Sequence, residues 1–117
     1  MEFNKYQTLT AKTAVYSGHQ EERDLNKISG LIYTTLGLAG EAGEIANKVK
    51  KVIRDDNCIL SEATKQKIAD EVGDVAWYMS QLTTELNKAL DDIAAANIAK
   101  LMSRLERGTI QGSGDNR

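Results

Sequence analysis

The fold is decided by two long stretches, SGLIYTTLGLAGEAGEIANKVKKVIRD at residues 29–55 and SEATKQKIADEVGDVAWYMSQLTTELN at residues 61–87. In both stretches, apolar or small residues recur in steps of three and four, which is the spacing of a buried helical seam. The first seam consists of Leu31, Thr35, Leu38, Ala42, Ile45, Val49 and Val52, and the second consists of Ile68, Val72, Val75, Met79, Leu82 and Leu86. Because only a short connection joins the two helices, we predict that they pack as an antiparallel hairpin.

Two further helices are predicted on either side of this hairpin. One covers residues 3–16, and the other covers residues 91–107, with Asp91 as its N-cap and Gly108 as its C-terminal stop. Residues 18–27 are rich in charge and are expected to form a loop. The chain contains no proline that would break a helix. The sequence therefore predicts an all-α fold, namely a four-helix bundle-type domain built on the long antiparallel hairpin.

The composition is that of one small globular domain and excludes several classes of function. The chain has 117 residues, of which 41% are hydrophobic and 27% charged, and its net charge is −2. This charge gives no bulk attraction to a nucleic acid polymer or to an anionic membrane. The longest uncharged stretch, residues 28–40, is too short to span a bilayer, and the first residues lack the apolar core of a signal peptide. The single cysteine, Cys58, cannot form an internal disulfide, so we expect a cytoplasmic protein.

Two pairs of acidic residues lie on the predicted hairpin. Glu41 and Glu44 belong to the first helix, and Glu71 and Asp74 belong to the second. Each pair is spaced i, i+3, so the two side chains of a pair leave the same helix face. The bend is centred between residues 57 and 58, which places Glu41 level with Asp74 and Glu44 level with Glu71. The four carboxylates are therefore predicted to meet at one height of the hairpin.

Glycines accompany these acids. Gly43 and Gly73 each precede the second acid of their pair, and Gly37 and Gly40 lie on the first helix. A glycine inside a helix costs about 1 kcal/mol relative to alanine, which is reasonable where two backbones approach closely or a ligand must fit.

A hard divalent cation is the expected partner of the four acids, because it relieves the repulsion among their carboxylates. Oxygen donors without a nearby cysteine or histidine favour Mg²⁺, with Mn²⁺ as a possible substitute, over zinc. Since Mg²⁺ commonly completes its coordination shell with substrate phosphates, the motif points to phosphoryl or nucleotidyl chemistry.

The pattern Glu41-x-x-Glu44, followed after 26 residues by Glu71-x-x-Asp74, resembles the signature of the all-α nucleoside triphosphate pyrophosphohydrolases. The runs LGLAGEAGEIANKVKK, DEVGDVAWY and AAANIAKL resemble the MazG-like branch of these enzymes, and the resemblance covers essentially the whole chain. It implies that the four acids bind Mg²⁺ and that a (deoxy)nucleoside triphosphate is hydrolysed between its α- and β-phosphates to a monophosphate and pyrophosphate. It also implies homodimers or dimers of dimers, with sites formed between helices of more than one subunit. Residues 1–107 would then be the pyrophosphohydrolase domain and residues 108–117 a flexible, glycine-rich tail.

Several residues are candidates for contacts with the substrate. Glu41 or Glu44, which the sequence does not distinguish, would deprotonate or orient the attacking water. Lys48 and Lys51 would contact the β- and γ-phosphates, although Lys48 could instead form an i, i+4 ion pair with Glu44. Tyr78 would stack on a base or belong to the core.

The last predicted helix adds a polar and basic face to this set of candidates. Asn97 interrupts an apolar stripe, and Lys100 and Arg104 lie beside it at helical spacing. These residues would bind the anionic substrate, as the Asn-x-x-Lys pattern of the family implies, or Asn97 would form a buried structural hydrogen bond.

Three other functions are alternatives to this one. Phosphoribosyl-ATP hydrolysis and a non-catalytic helical interaction module both remain open on the sequence. A di-iron carboxylate bundle is disfavoured, since it requires Glu-x-x-His pairs that neither motif supplies.

Overall fold

The computed structural model describes residues 1–16, 19 and 29–116. Within this part of the chain there are four α-helices, a single 3₁₀ turn and no strand, which confirms the all-α class. The helices are α1 (Phe3–Thr10), α2 (Ser29–Asp55), α3 (Glu62–Glu85) and α4 (Leu90–Glu106), and the 3₁₀ turn (Ala11–Thr13) follows α1. The first helix is thus shorter than predicted. Most of the predicted loop of residues 18–27 lies outside the described residues.

Helices α2 and α3 form the predicted antiparallel hairpin, which is the most extensive contact between helices in the chain. Asn57 and Cys58 turn the chain with positive φ angles of 50° and 62°. Ser61 then caps α3, because its Oγ accepts a hydrogen bond from the backbone N–H of Thr64 at 3.2 Å. The Tyr78 ring lies directly against Gly37, as a bend centred between residues 57 and 58 requires.

The interior of the chain is polar. Thr34, Ser80 and Gln81 are fully buried, whereas Val52 and Leu90 are the buried apolar side chains of the described residues. The polar groups are joined across helices: the hydroxyls of Thr10 and Ser80 lie 2.8 Å apart, and Gln81 Nε2 donates to Thr10 Oγ1 at 2.8 Å. Burial of these polar groups is tolerated because most of them are hydrogen-bonded.

The predicted apolar seams are only partly buried within one chain: Val52 is buried, but other members are not. Val49, Val72 and Leu86 remain 44%, 51% and 45% exposed. Thr34 is buried in place of the predicted Thr35, which is exposed. The periodicity therefore identified helices correctly, but much of the apolar surface it marked faces outwards.

Helix α1 packs across α3, and α4 contacts α1. Gln7 joins these elements: its Nε2 donates to Thr83 Oγ1, Thr84 Oγ1 and the Lys88 carbonyl, and its Oε1 accepts from the Leu90 N–H at 2.9 Å. A side chain of α1 therefore supplies an acceptor at the start of α4.

The structure does not confirm the bundle arrangement, because α4 does not pack along the hairpin. The predicted N-cap, Asp91, lies instead in the first turn of α4. The N-cap position is held by Ala89, whose side chain forms no cap hydrogen bond.

Residues after α4 turn back onto its end. Gly108 adopts a positive φ of 67°, and the Thr109 N–H donates to the Arg104 carbonyl at 2.8 Å. Arg104 Nη2 donates to the carbonyl of Asp115 at 2.7 Å. A division between a domain of residues 1–107 and a tail of residues 108–117 stays a prediction. No helix in the described part of the chain has the length and apolar character needed to cross a membrane.

Candidate active site

Three of the four predicted acids come together at the middle of the hairpin. Carboxylate oxygens of Glu41 on α2 and of Glu71 and Asp74 on α3 all lie within 4.8 Å of one another. We call these three residues the carboxylate cluster. Glu41 and Glu71 are partly buried and Asp74 is exposed, so the cluster opens to solvent on one side. Glu44 is exposed and lies outside this group, and its role as a ligand stays a prediction.

The negative charges of the cluster act on one another. The pKa of Glu41 is raised, first by partial desolvation and then by the charges of Asp74 and Glu71, with a smaller contribution from Glu44. A hydrogen bond with Glu71 raises it further. Such a group of carboxylates favours a proton or a cation among its oxygens. The donor set consists of oxygen alone, which is the preference of a hard divalent cation.

Of the two lysines predicted to bind phosphates, Lys48 contacts the carboxylate cluster. Its Nζ donates to Glu71 Oε1 at 2.6 Å, and the two side chains are 25% and 18% exposed. The bond to Glu71 is the main cause of the raised pKa of Lys48. The alternative i, i+4 pair with Glu44 is therefore not formed, and the ion pair spans the hairpin instead. Lys51 is exposed.

The glycines near the acids fall into two kinds. A Cβ at Gly37 would lie much closer than 3.0 Å to the Tyr78 ring, so this position requires glycine for close packing. A Cβ at Gly40, Gly43 or Gly73 would have nothing within 4 Å. The expected close approach is therefore found at Gly37. The other three glycines have open space beside them, and the alternative, that a ligand fits there, stays a prediction.

Aromatic rings lie next to the carboxylate cluster on the side away from the bend. Tyr33 stacks on Tyr16 with ring centroids 5.0 Å apart and planes 10° apart. Tyr78 lies 6.3 Å from Tyr33 and meets the edge of Trp77 at 5.0 Å. We call these four residues the aromatic cluster. Tyr78, which is partly buried, thus packs against neighbouring rings as well as against Gly37, and Tyr33 remains 46% exposed.

Tyr33 was not among the residues selected from the sequence, although a signal was present. Tyr33, Gly37 and Glu41 follow one another at i, i+4 and i+8 on α2, so they share a helix face. Asp74 and Tyr78 have the same i, i+4 relation on α3. Extending the acidic stripe along each helix away from the bend would have identified Tyr33 and Tyr78, though not Tyr16.

A polar contact holds Tyr16 in this cluster. Its hydroxyl donates to Glu85 Oε1 at 2.5 Å, and His19 Nδ1 lies 2.9 Å from the same oxygen. Desolvation, followed by the bond to Glu85, raises the pKa of Tyr16. His19, which falls in the predicted loop of residues 18–27, is partly buried. Sequence spacing gives no signal for this contact, because its partners are 66 or more residues apart.

The candidate residues of α4 are not brought to the carboxylate cluster within one chain. Asn97 and Lys100 are exposed, so the argument from a buried amide does not apply to Asn97 in a single copy. Arg104 is 7% exposed and donates to the tail carbonyl, while its Nε has no hydrogen-bond partner among the described residues. Because α4 does not pack along the hairpin, its basic face lies apart from the acids of its own chain.

Comparison with known proteins places these features in a family. The chain is similar to the "Gene 37 protein" of Mycobacterium phage L5, with 46% identity over 117 residues that cover all of both chains. No solved structure shows a significant match. The family model described as "MazG nucleotide pyrophosphohydrolase domain" matches residues 31–108. This range contains most of α2, all of α3 and α4, and every member of the carboxylate cluster. The resemblance seen in the acidic motifs is thereby confirmed: the chain belongs to the MazG nucleotide pyrophosphohydrolase family.

Proposed function

We propose that the chain hydrolyses (deoxy)nucleoside triphosphates between the α- and β-phosphates and releases a nucleoside monophosphate and pyrophosphate. The observation that carries the proposal is the meeting of three carboxylates from two helices within 4.8 Å, in a chain of a nucleotide pyrophosphohydrolase family. Water would attack the α-phosphorus in line. The bond from this phosphorus to the oxygen that bridges the α- and β-phosphates would break, and pyrophosphate would leave with that oxygen.

The donor set fits Mg²⁺, with Mn²⁺ as a substitute. The family depends on metal in general, and hard divalent cations take carboxylate oxygens. Glu41, Glu71 and Asp74 would hold the cation, and Glu44 would supply a fourth carboxylate beside them. When bound, Mg²⁺ neutralises the triphosphate and lowers the pKa of a coordinated water.

The protein's own residues would position the water and stabilise the leaving group. We favour Glu44 over Glu41 as the residue that accepts the proton of the water, because Glu44 lies on the same face of α2 but outside the grouped carboxylates. Lys48 and Lys51 would stabilise the negative charge of the departing pyrophosphate. Lys48 has the stronger support, since its ammonium already lies at the cluster.

The aromatic cluster would receive the base. Tyr33 precedes Glu41 by eight residues on α2, which corresponds to about 12 Å along the helix. This separation suits a nucleotide whose α- and β-phosphates lie at the acids. One face of the Tyr33 ring is supported by Tyr16, and base–aromatic stacking contributes about 1–3 kcal/mol in other nucleotide-binding proteins. Tyr78 lies between the two regions and would contact the nucleoside.

A homodimer or dimer of dimers is proposed from the apolar surface that one chain leaves exposed. Leu36 and Ile53 on α2 are 67% and 63% exposed, and Ile98 on α4 is 60% exposed. The accessible surface is 8357 Å², whereas a compact monomer of 12.9 kDa exposes about 6,300 Å². The difference exceeds the roughly 1,600 Å² that two partners bury in a standard interface.

Such an assembly would also give the basic face of α4 a role. Asn97, Lys100 and Arg104 do not reach the acids of their own hairpin, so they would contact the phosphates held by a second copy. Mixing the Glu41→Gln and Lys100→Met variants tests this arrangement. If each site combines the acids of one copy with the α4 face of another, the mixture regains about a quarter of wild-type activity, because half of randomly mixed dimers carry one intact site. A mixture as inactive as its components contradicts it.

The catalytic proposal is tested by pyrophosphate release from a panel of canonical and damaged (d)NTPs and phosphoribosyl-ATP, with and without Mg²⁺. We expect Mg²⁺-dependent release from at least one nucleoside triphosphate. Glu41→Gln and Asp74→Asn should abolish it, while the helical circular dichroism spectrum is retained. Glu62→Gln is the matched control, because Glu62 lies on α3 and pairs with Lys65 away from the cluster.

The panel also separates the alternatives. Release from phosphoribosyl-ATP alone would favour that narrower activity, and no release from any compound would favour a non-catalytic module. Glu44→Gln distinguishes the two roles proposed for Glu44. If Glu44 is the base alone, it is needed for turnover but not for Mn²⁺ binding; if it is also a metal ligand, it is needed for both, as Glu41 is. Retained pyrophosphate release in both Glu41→Gln and Asp74→Asn would refute the assignment of the site.

A further inference from the structure

Lys48 lies where the carboxylate cluster and the expected path of the phosphates meet. Its ammonium is 2.6 Å from Glu71 Oε1, and both side chains are mostly shielded from solvent. Glu44 and Asp70 are the other acids whose charges act on it. In the part of the chain that the structure describes, this ammonium is the cationic group that directly contacts a member of the cluster. It is supplied by the helix opposite to the one that carries Glu71.

Two cations that bind the same carboxylate repel each other, which costs free energy. If a divalent cation binds the cluster, its two positive charges lie close to the ammonium on Glu71, and like charges at such distances repel each other. The Lys48 side chain has four flexible methylene groups, so the ammonium can leave Glu71 while the backbone of α2 stays in place.

Once displaced from Glu71, the Lys48 ammonium would be close to the expected position of the terminal phosphate. Lys48 follows Glu41 by seven residues on α2, about 10 Å further towards the bend, whereas Tyr33 lies on the other side of Glu41. A nucleotide with its base at Tyr33 and its α- and β-phosphates at the acids would direct its terminal phosphate towards Lys48.

We propose that Lys48 is an internal counter-ion of the carboxylate cluster: it competes with the divalent cation for Glu71, and cation binding releases it to contact the terminal phosphate. This inference rests on the proposed function, because it assumes that the cluster binds a divalent cation. It differs from a simple phosphate-binding role, since it predicts that Lys48 opposes cation binding when no nucleotide is present. An orienting role, in which Lys48 holds Glu71 in place for the cation, predicts the opposite sign.

The test measures the affinity of the nucleotide-free protein for Mn²⁺, by the electron paramagnetic resonance signal of free Mn²⁺, and for Mg²⁺ by calorimetry. Lys48→Met keeps the length of the side chain and removes its charge. We expect it to bind Mn²⁺ about two- to fivefold more tightly than wild type, the size expected from removing one partly exposed ion pair. Lys48→Arg should restore an affinity close to that of wild type. Lys50→Met removes an exposed lysine of α2 whose Nζ donates to Asn47 Oδ1, and it should leave the affinity unchanged.

A second measurement follows thermal unfolding. With a chelator present, Lys48→Met should melt below wild type because the cluster has lost its counter-ion, and added Mg²⁺ should raise its melting temperature by more than it raises that of wild type. An Mn²⁺ affinity of Lys48→Met that is equal to or weaker than that of wild type overturns the proposal. Lys48→Gln repeats the comparison should the methionine variant not fold.

The outcomes separate this inference from the proposed function. If wild type binds no divalent cation, the metal site fails and the counter-ion role fails with it. If wild type binds Mn²⁺ and releases pyrophosphate while Lys48→Met gains no affinity, the enzymatic proposal stands and the counter-ion role alone is refuted.

Discussion

Replacing Gly37 by alanine tests how closely the Tyr78 ring packs against α2. The new Cβ would lie far inside the 3.0 Å limit of real contacts with three ring carbons, so the ring must move by more than about 1 Å to reach an ordinary contact distance. Tyr78 is also packed against Trp77 and Tyr33, which limits where it can go. Overpacking of this kind costs about 1–3 kcal/mol, whereas alanine gains about 1 kcal/mol over glycine inside a helix.

The effect of Gly37→Ala on the free energy of unfolding is best compared with the effect of Gly40→Ala. Gly40 is one turn further along α2, and a Cβ there meets nothing within 4 Å, so this variant should be stabilised by about 0.5–1 kcal/mol. Gly37→Ala should therefore be about 1–3 kcal/mol less stable than Gly40→Ala. In a domain of this size, 1 kcal/mol corresponds to roughly 4 °C in melting temperature.

Urea denaturation at a fixed protein concentration, with the free energy of unfolding obtained by linear extrapolation, measures this difference. A double-mutant cycle identifies its cause: in a Tyr78→Ala background the ring is gone, so Gly37→Ala should become stabilising. Equal stability of Gly37→Ala and Gly40→Ala, or a cost that persists without the ring, would refute the reasoning.

Three more predictions concern separate parts of the molecule. Gln7→Ala removes the bonds to α3 and to the start of α4, and should lower the free energy of unfolding by about 1–3 kcal/mol; an unchanged urea midpoint would contradict it. Glu41→Gln removes one of three mutually repelling charges, so with a chelator present it should melt above wild type, and Mg²⁺ should no longer raise its melting temperature; the reverse order would count against the cluster. Tyr33→Leu should raise the KM for the triphosphate while leaving Mn²⁺ affinity unchanged. Equal KM values for this variant and wild type would show that the base does not bind at Tyr33.

The hairpin could be predicted because its determinants are local. Residues 29–55 carry a regular pattern, and Ser61 is a side-chain cap whose partner, Thr64, is three residues away. The same locality explains where prediction failed. The backbone N–H at the start of α4 donates to Gln7, which lies 83 residues earlier in the chain. No sequence pattern near Leu90 indicates such a contact.

The acids of the candidate site were predictable for the same reason, since two local spacings and one bend determine their height. Burial was not predictable in this way. A helical period tells which face is apolar, but it does not tell whether that face meets its own chain or another, and Val49 remains 44% exposed. The pairing of Lys48 with Glu71 rather than with Glu44 depends on side-chain reach across the hairpin, which spacing along one helix does not reveal.

The hydrogen bond between Gln7 and the Leu90 N–H holds α4 near one end, so that α4 can act as a lever. Helix α4 has 17 residues and is therefore about 25 Å long. Near one end it is held against α1 by Gln7 and by the buried Leu90. A tilt of roughly 10° at this end would displace the far end, where Arg104 lies, by about 4 Å. A small displacement of α1, such as one caused by a purification tag joined close to Phe3, would thus become a larger displacement at the far end of α4.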